Sequence, residues 1–308
     1  MEKTILAAVD GSVASTQGLD YLAHLFAADA SLAIHLLSVT PSSGAGKDWM
    51  NQVDPLRVQA SPSGKNAQLS HRHVQEARER LERKGISAGR IHHFVKPALS
   101  GTSNTIRAEA ERGKYDALLV GRRGLGAMGN MFFGSISSEL LERCHQVPLW
   151  IVDGAVTSSR FLLAVQSHPS SLMAADHLGF VASHIPNIEI CLYHSESVFG
   201  KQPPARAEDF HQQWGKSWCD QYLDLENFLF YAHAQLLQES GIPRHRITQL
   251  PAQMHLDVSA DLLRQAKQHR CGTIVLGRRR RDAAKGQIKG VSDKTVKQAQ
   301  NIAIWLAG

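Results

Sequence analysis

The fifteen residues Gly121–Ser135, GRRGLGAMGNMFFGS, carry glycines at 121, 124, 126, 129 and 134. Glycine has no Cβ, so main-chain N–H groups around such positions can come close to an anion. The segment follows the apolar run Ala117-Leu118-Leu119-Val120, which reads as a buried strand. It precedes SISSELLERC, which reads as a helix. A strand, a glycine-rich turn and a helix N-terminus together suit a phosphate, because unpaired helical N–H groups face the turn. The expected chemistry is the cradling of a phosphate, with a nucleotide as its carrier.

Two common nucleotide motifs fail on placement. Gly124-Leu125-Gly126-Ala127-Met128-Gly129 fits G-x-G-x-x-G. That fingerprint belongs after the first strand of its unit, with an acidic residue about 20 positions further on. Here it follows the fourth strand-like run, and no acid stands at the expected place. The loop also lacks G-x-x-x-x-G-K-[ST], so a Walker-type NTPase is unsupported.

The loop needs elements to position it, and the periodicity supplies them twice. Thr4–Val9 reads as strand one, Ser15–Ala28 as a helix, and Leu32–Val39 as strand two. Pro41–Ser70, rich in Ser, Gly, Pro and Asn, reads as an irregular insertion, followed by a charged helix His71–Lys84 stopped at Gly85. Ile91–Val95, Thr102–Arg112, Ala117–Val120, Ser135–His145 and Pro148–Val152 continue the alternation of strand and helix. Shifted by 156 residues, the chain matches itself. Ala8-Val9-Asp10 meets Ala164-Val165-Gln166, and Val120-Gly121-Arg122-Arg123 meets Leu276-Gly277-Arg278-Arg279. Near the end the offset slips by one, where Leu149-Trp150-Ile151 meets Ile304-Trp305-Leu306. Two copies of this length predict duplicated domains, 1–153 and 154–308. The predicted fold class is α/β: two doubly wound, Rossmann-like domains, each a five-stranded parallel sheet flanked by helices.

Composition is consistent with this. Hydrophobic residues make up 43% and charged residues 20% of 308, a globular balance with no run long enough to span a bilayer. The start, MEKTILAAVD, lacks a signal-peptide pattern, and the four cysteines form no CxxC pair, so a cytoplasmic, reduced setting is expected. The net charge of +6 permits nucleic-acid binding, but aromatics are 6% and no recognition motif accompanies them, so that partner is not favoured.

Gly121, two residues, Gly124, nine residues, then Gly134-Ser135 resembles the G-2x-G-9x-G-[ST] signature of the universal stress protein family. The opening Val9-Asp10-Gly11-Ser12, the run Leu36–Thr40 and the closing Val147–Val152 are also similar to that family. The resemblance spans the chain as a tandem pair, specific in the first half and degenerate in the second. It implies that Asp10 contacts the adenosine part of a bound ATP and that the Val39 backbone reads the adenine edge. Gly121, Gly124, Gly134 and Ser135 would hold the phosphates, with Ser137 as a weaker addition. Arg122 and Arg123 could add charge-assisted phosphate contacts or stand simply as an exposed pair. ATP, with or without magnesium, is the implied ligand in a stress or signalling role. Slow hydrolysis or autophosphorylation at Ser135 is open by resemblance alone, since no general base or dedicated carboxylate cluster can be named.

The second copy departs at the decisive places: Gln166 for Asp10, Arg280 for Gly124 and Val291 for Ser135, while Gly277 and Gly290 persist. ATP is therefore expected only in the first half. The second half would be a pseudo-symmetric partner, since family members pair through their fifth strands, and further homo-oligomerisation stays open. Blander readings stand beside these. Asp10 alone could cap the next helix, Arg278–Arg281 could be a solvated face, and Trp214 and Trp218 could form a small satellite core. His71, His73, His92 and His93 do not share faces at metal-ligand spacing. A nucleotide-independent interaction scaffold is the alternative function, with an anion or nucleic-acid binder behind it.

Overall fold

The computed structural model describes residues 2–41, 62–122, 134–198, 205–279 and 290–308. In the first half, strands β1 (Lys3–Ala8), β2 (Leu32–Thr40), β3 (Ile91–Pro97), β4 (Ala117–Gly121) and β5 (Leu149–Val152) alternate, among the described residues, with four helices. These are α1 (Val13–Phe26), α2 (Pro62–Arg83), α3 (Thr102–Arg112) and α4 (Ser135–Arg143). The second half contributes β6 (Arg160–Ala164), β7 (Glu189–Tyr193), β8 (Ser195–Ser197), β9 (Ile247–Gln249), β10 (Gln253–His255), β11 (Thr273–Gly277) and β12 (Ala303–Ala307). Its helices are α5 (Pro169–Ala182), α6 (Glu208–Trp214), α7 (Lys216–Tyr222), α8 (Phe230–Glu239), α9 (Val258–Gln268) and α10 (Val291–Gln298).

Ten strands form one sheet in the order β3-β2-β1-β4-β5-β12-β11-β6-β7-β9, with β8 and β10 as a separate pair. Counted within each half, the order is the same, third-second-first-fourth-fifth. Neighbours inside each half run parallel, while β5 and β12 pair antiparallel with Trp150 opposite Trp305. The two expected sheets of five are thus one sheet of ten. Alternation along each strand sends side chains to opposite faces. Ile5 and Ala7 join a core under α1, α2, α5 and α8, while Leu6 joins the core under α3, α4, α9 and α10.

Two local differences from expectation have simple causes. Helix α2 begins at Pro62 rather than His71. Proline suits a helix's first position because its missing N–H would be unpaired there anyway, so the loop-like composition ran on into helix. Trp214 and Trp218 are divided between α6 and α7 by Gly215, whose φ of +78° breaks the helix. Both indoles pack on the main core rather than forming a separate one. Among the described residues, no helix is long and apolar enough to cross a membrane.

Candidate functional site

Parallel register aligns the predicted site along one edge. Ala8 pairs with Leu37 and Ala7 with Leu119, so two positions beyond each pair lie Asp10 level with Val39, and Val9 level with Gly121. All stand at the carboxyl ends of strands, beside the switch point between β1 and β4 where chain connections diverge to opposite faces. That crevice is where open α/β sheets hold ligands.

The turn after β1 is built locally. The Asp10 carboxylate accepts the Ser12 N–H at 3.0 Å, and the Ser12 hydroxyl accepts the Ser15 N–H at 3.1 Å, capping α1. Gly11 has a φ of +74°, and a Cβ there would lie 2.5 Å from the His73 ring. His73, on α2, therefore covers this turn, a neighbour that the sequence reading did not assign to the site. Its signal was the inward spacing His73, Ala77, Arg80 along α2. These side chains, with Val9, Gly11 and Thr16, line a cavity of about 330 Å³ between α1 and α2. Arg80 is held there by Asp20 through two 2.7 Å bonds, and its guanidinium keeps the Asp20 carboxyl below the usual carboxylate range.

Across the crevice, Gly134 is the N-cap of α4 and Ser135 its exposed first residue. The buried Ser137 hydroxyl donates to the Gly121 carbonyl at 2.7 Å, tying α4 to the end of β4. Gly121 cannot carry a side chain, because a Cβ would lie 2.7 Å from the Ala14 carbonyl carbon in the first turn of α1. Its glycine is thus required by helix–strand packing, in addition to any phosphate approach. Gly124, Arg123 and Arg280 lie outside the described residues.

Arg122 departs from the expectation of an exposed or phosphate-facing side chain. Its guanidinium is buried, 3.6 Å from the Asp153 carboxylate, and donates to the carbonyl of Lys297 in the other half. Burying both charges together is tolerable because they are paired.

The matching edge of the second half is built differently. Ala164 pairs with Tyr193, which sets Gln166 level with Ser195 as Asp10 is with Val39. The preceding residue, His194, donates from Nδ1 to the Val165 carbonyl at 2.7 Å and stacks on Phe228 with ring centroids 3.7 Å apart. Burial pushes the His194 imidazole below its ordinary range. Phe228, in the segment joining α7 to α8, thus occupies space over this edge. Gly277 is again forced, since a Cβ would lie 2.4 Å from the Ser170 carbonyl oxygen. Nothing among the described residues requires glycine at 290. Val291, at the start of α10, offers no side-chain donor where Ser135 has one.

Comparison with known proteins extends these findings. The Universal stress protein family profile matches residues 1–153. A universal stress protein from Archaeoglobus fulgidus is similar in fold, with a TM-score of 0.61 at 14% identity over 99% of this chain and 95% of that one. A Pseudomonas aeruginosa PAO1 protein of unknown function follows at TM-score 0.56 and 11% identity, covering 99% and 92%. A third, from Pseudomonas aeruginosa UCBPP-PA14 and described as a universal stress protein, gives 0.54 and 11% over 99% and 93%. No curated protein matches the sequence.

Proposed function

Because the chain belongs, through residues 1–153, to the universal stress protein family, we propose that it binds an adenine nucleotide, ATP, in a stress-response role. The observation that carries the proposal is the convergence of Asp10, Val39, Gly121, Gly134 and Ser135 on one carboxyl edge at the sheet's switch point. The Asp10 carboxylate accepts hydrogen bonds from ribose or adenine, and the Val39 backbone reads the adenine edge. Ser135 and the N–H groups opening α4 take a phosphate, helped by the positive end of the helix. Ser137 acts indirectly, holding α4 against β4 through the Gly121 carbonyl.

In this reading residues 1–153 form the nucleotide domain and 154–308 its pseudo-symmetric partner through β5 and β12. Phe228 stacked on His194, together with Gln166 and Val291, argues against the same pose in the second half. The test is mass spectrometry of nucleotide retained on gentle purification, followed by calorimetric titration with ATP. The parent should take up one ATP per chain, Asp10→Ala none, and Ser135→Ala with affinity lowered about tenfold, the cost of one charge-assisted hydrogen bond. Unchanged affinity in both variants would remove the site assignment, and two ATP per chain would remove the division between halves.

A further inference from the structure

Arg122 has two separate attachments. Its backbone belongs to the first half: the N–H donates to the Val152 carbonyl at 2.9 Å, and its carbonyl accepts the Gly134 N–H at 3.1 Å. Gly134 is the residue that opens α4 and precedes Ser135. Its side chain belongs to the seam. The guanidinium, 5% exposed, lies against Asp153 and donates to the Lys297 carbonyl near the carboxyl end of α10. Asp153 in turn accepts the Asn301 N–H at 3.1 Å, ahead of β12.

The second half makes the mirror arrangement. Arg278 follows Gly277, its N–H donates to the Ala307 carbonyl at 2.7 Å, and its guanidinium donates at 2.5 Å to the carbonyl of Cys144, the C-cap of α4. Each half therefore sends the arginine after its fourth strand to the carboxyl end of the other half's last helix. Carbonyls there carry partial negative charge, which favours a cation. Helix α4 is held at its carboxyl end by the second half and at its amino end by Gly121 and Arg122. The Arg122 guanidinium and the Asp153 carboxylate, 3% exposed, are buried as a pair, so displacing the guanidinium disturbs the carboxylate's surroundings as well. The base of the cradle and the seam must therefore shift together.

We infer that Arg122 is a positioning residue that couples occupancy of the first half's nucleotide cradle to the packing of the second half, an inference that rests on the nucleotide reading above. A nucleotide held at Gly134 and Ser135 steadies the Arg122 backbone and so its grip on Asp153 and Lys297. Linkage makes the effect reciprocal: a broken grip weakens the nucleotide by the same factor. Arg122 itself touches no phosphate.

The experiment uses the full chain. Hydrogen exchange is followed with and without ATP, and ATP affinity is measured for the parent, Arg122→Met, Asp153→Asn and the double variant. ATP should slow exchange in residues 291–300 of the parent but not of Arg122→Met. Each single variant should lose affinity about tenfold, and the double variant no more than either alone, as expected for two groups acting as one unit. Arg122→Lys, which keeps the charge, should recover part of the loss. Losses that multiply, with exchange in 291–300 indifferent to ATP, would identify a direct phosphate contact and overturn the coupling. Equal affinity in all variants would overturn it too. The parent's exchange response needs no substitution, so a variant that fails to fold does not shield the inference. A parent that takes up no ATP brings down the nucleotide reading itself, and the coupling with it.

Discussion

His177 shows how one side chain can belong to both halves. It sits on α5, partly buried, and its Nε2 accepts the Trp150 indole N–H at 3.1 Å. An acceptor at that atom must be the neutral ring, and burial pushes the imidazole down to about 4. Unfolded, the same ring takes up its proton near pH 6.5. The folded state is therefore favoured in full above pH 6.5, and that contribution is lost as pH falls towards 4, amounting to roughly 3 kcal/mol for a buried site. His233, fully buried and held by that burial down to about 4, adds a second contribution of the same sign. The urea midpoint should fall between pH 6.5 and 5, and His177→Gln, which keeps an acceptor, should flatten that slope by about half. A parent whose midpoint is level across this window would show that neither ring is buried neutral.

At the scale of elements, the glycines that end β4 and β11 carry a lesson about motifs. Gly121 and Gly277 persist, one in each half, and in both a Cβ would collide with the backbone of the same half's opening helix turn: Ala14 of α1 and Ser170 of α5. Their persistence reflects the close crossing of helix on strand within each half and does not by itself indicate a second phosphate site. Gly121→Ala should therefore destabilise the fold by about 1–3 kcal/mol in urea unfolding, the usual cost of overpacking against a backbone that cannot yield. A variant as stable as the parent would mean that α1 does not lie this close to β4. The helix caps are equally local in origin, and Ser12 before α1 is one that the motif Val9–Ser12 already contained.

For the whole molecule, the antiparallel β5–β12 pairing merges the two halves. Trp150 and Trp305 stack with centroids 3.8 Å apart and planes within 2°, joined by Phe26 at 6.0 Å and Phe161 at 5.2 Å. The Tyr21 hydroxyl meets that of Thr273 at 2.8 Å, and Lys3 donates to the Val181 carbonyl at 3.2 Å across the same boundary. Separating the halves would expose these rings and strip the buried Lys3, still paired with Asp29, of its bond to the Val181 carbonyl. Calorimetry should accordingly record one unfolding transition, with calorimetric and van't Hoff enthalpies in agreement. Two resolved transitions would show that the halves melt independently despite their shared core.

The sequence by itself determined the alternation of strand and helix, the repeat that predicts two similar strand orders, and the edge on which Asp10, Val39, Gly121 and Ser135 meet. These are legible because period, caps and register are local properties, and because a parallel sheet carries the ends of its strands to one side. Helix α2 was only partly legible, since polar residues after Pro62 resemble a loop until they are placed over the sheet. What required the tertiary structure was the direction of side chains whose partners lie far along the chain. Arg122 reads as a phosphate ligand beside glycines, yet Asp153 and Lys297 draw it into the seam. Spacing turns His73 to the inner face of α2 but does not name Gly11 as what it covers, and Phe228 covers His194 through a contact that no spacing records. Backbone hydrogen bonding repeats and so can be read from pattern, whereas the pairing of a buried charge or ring depends on which surfaces the fold brings together.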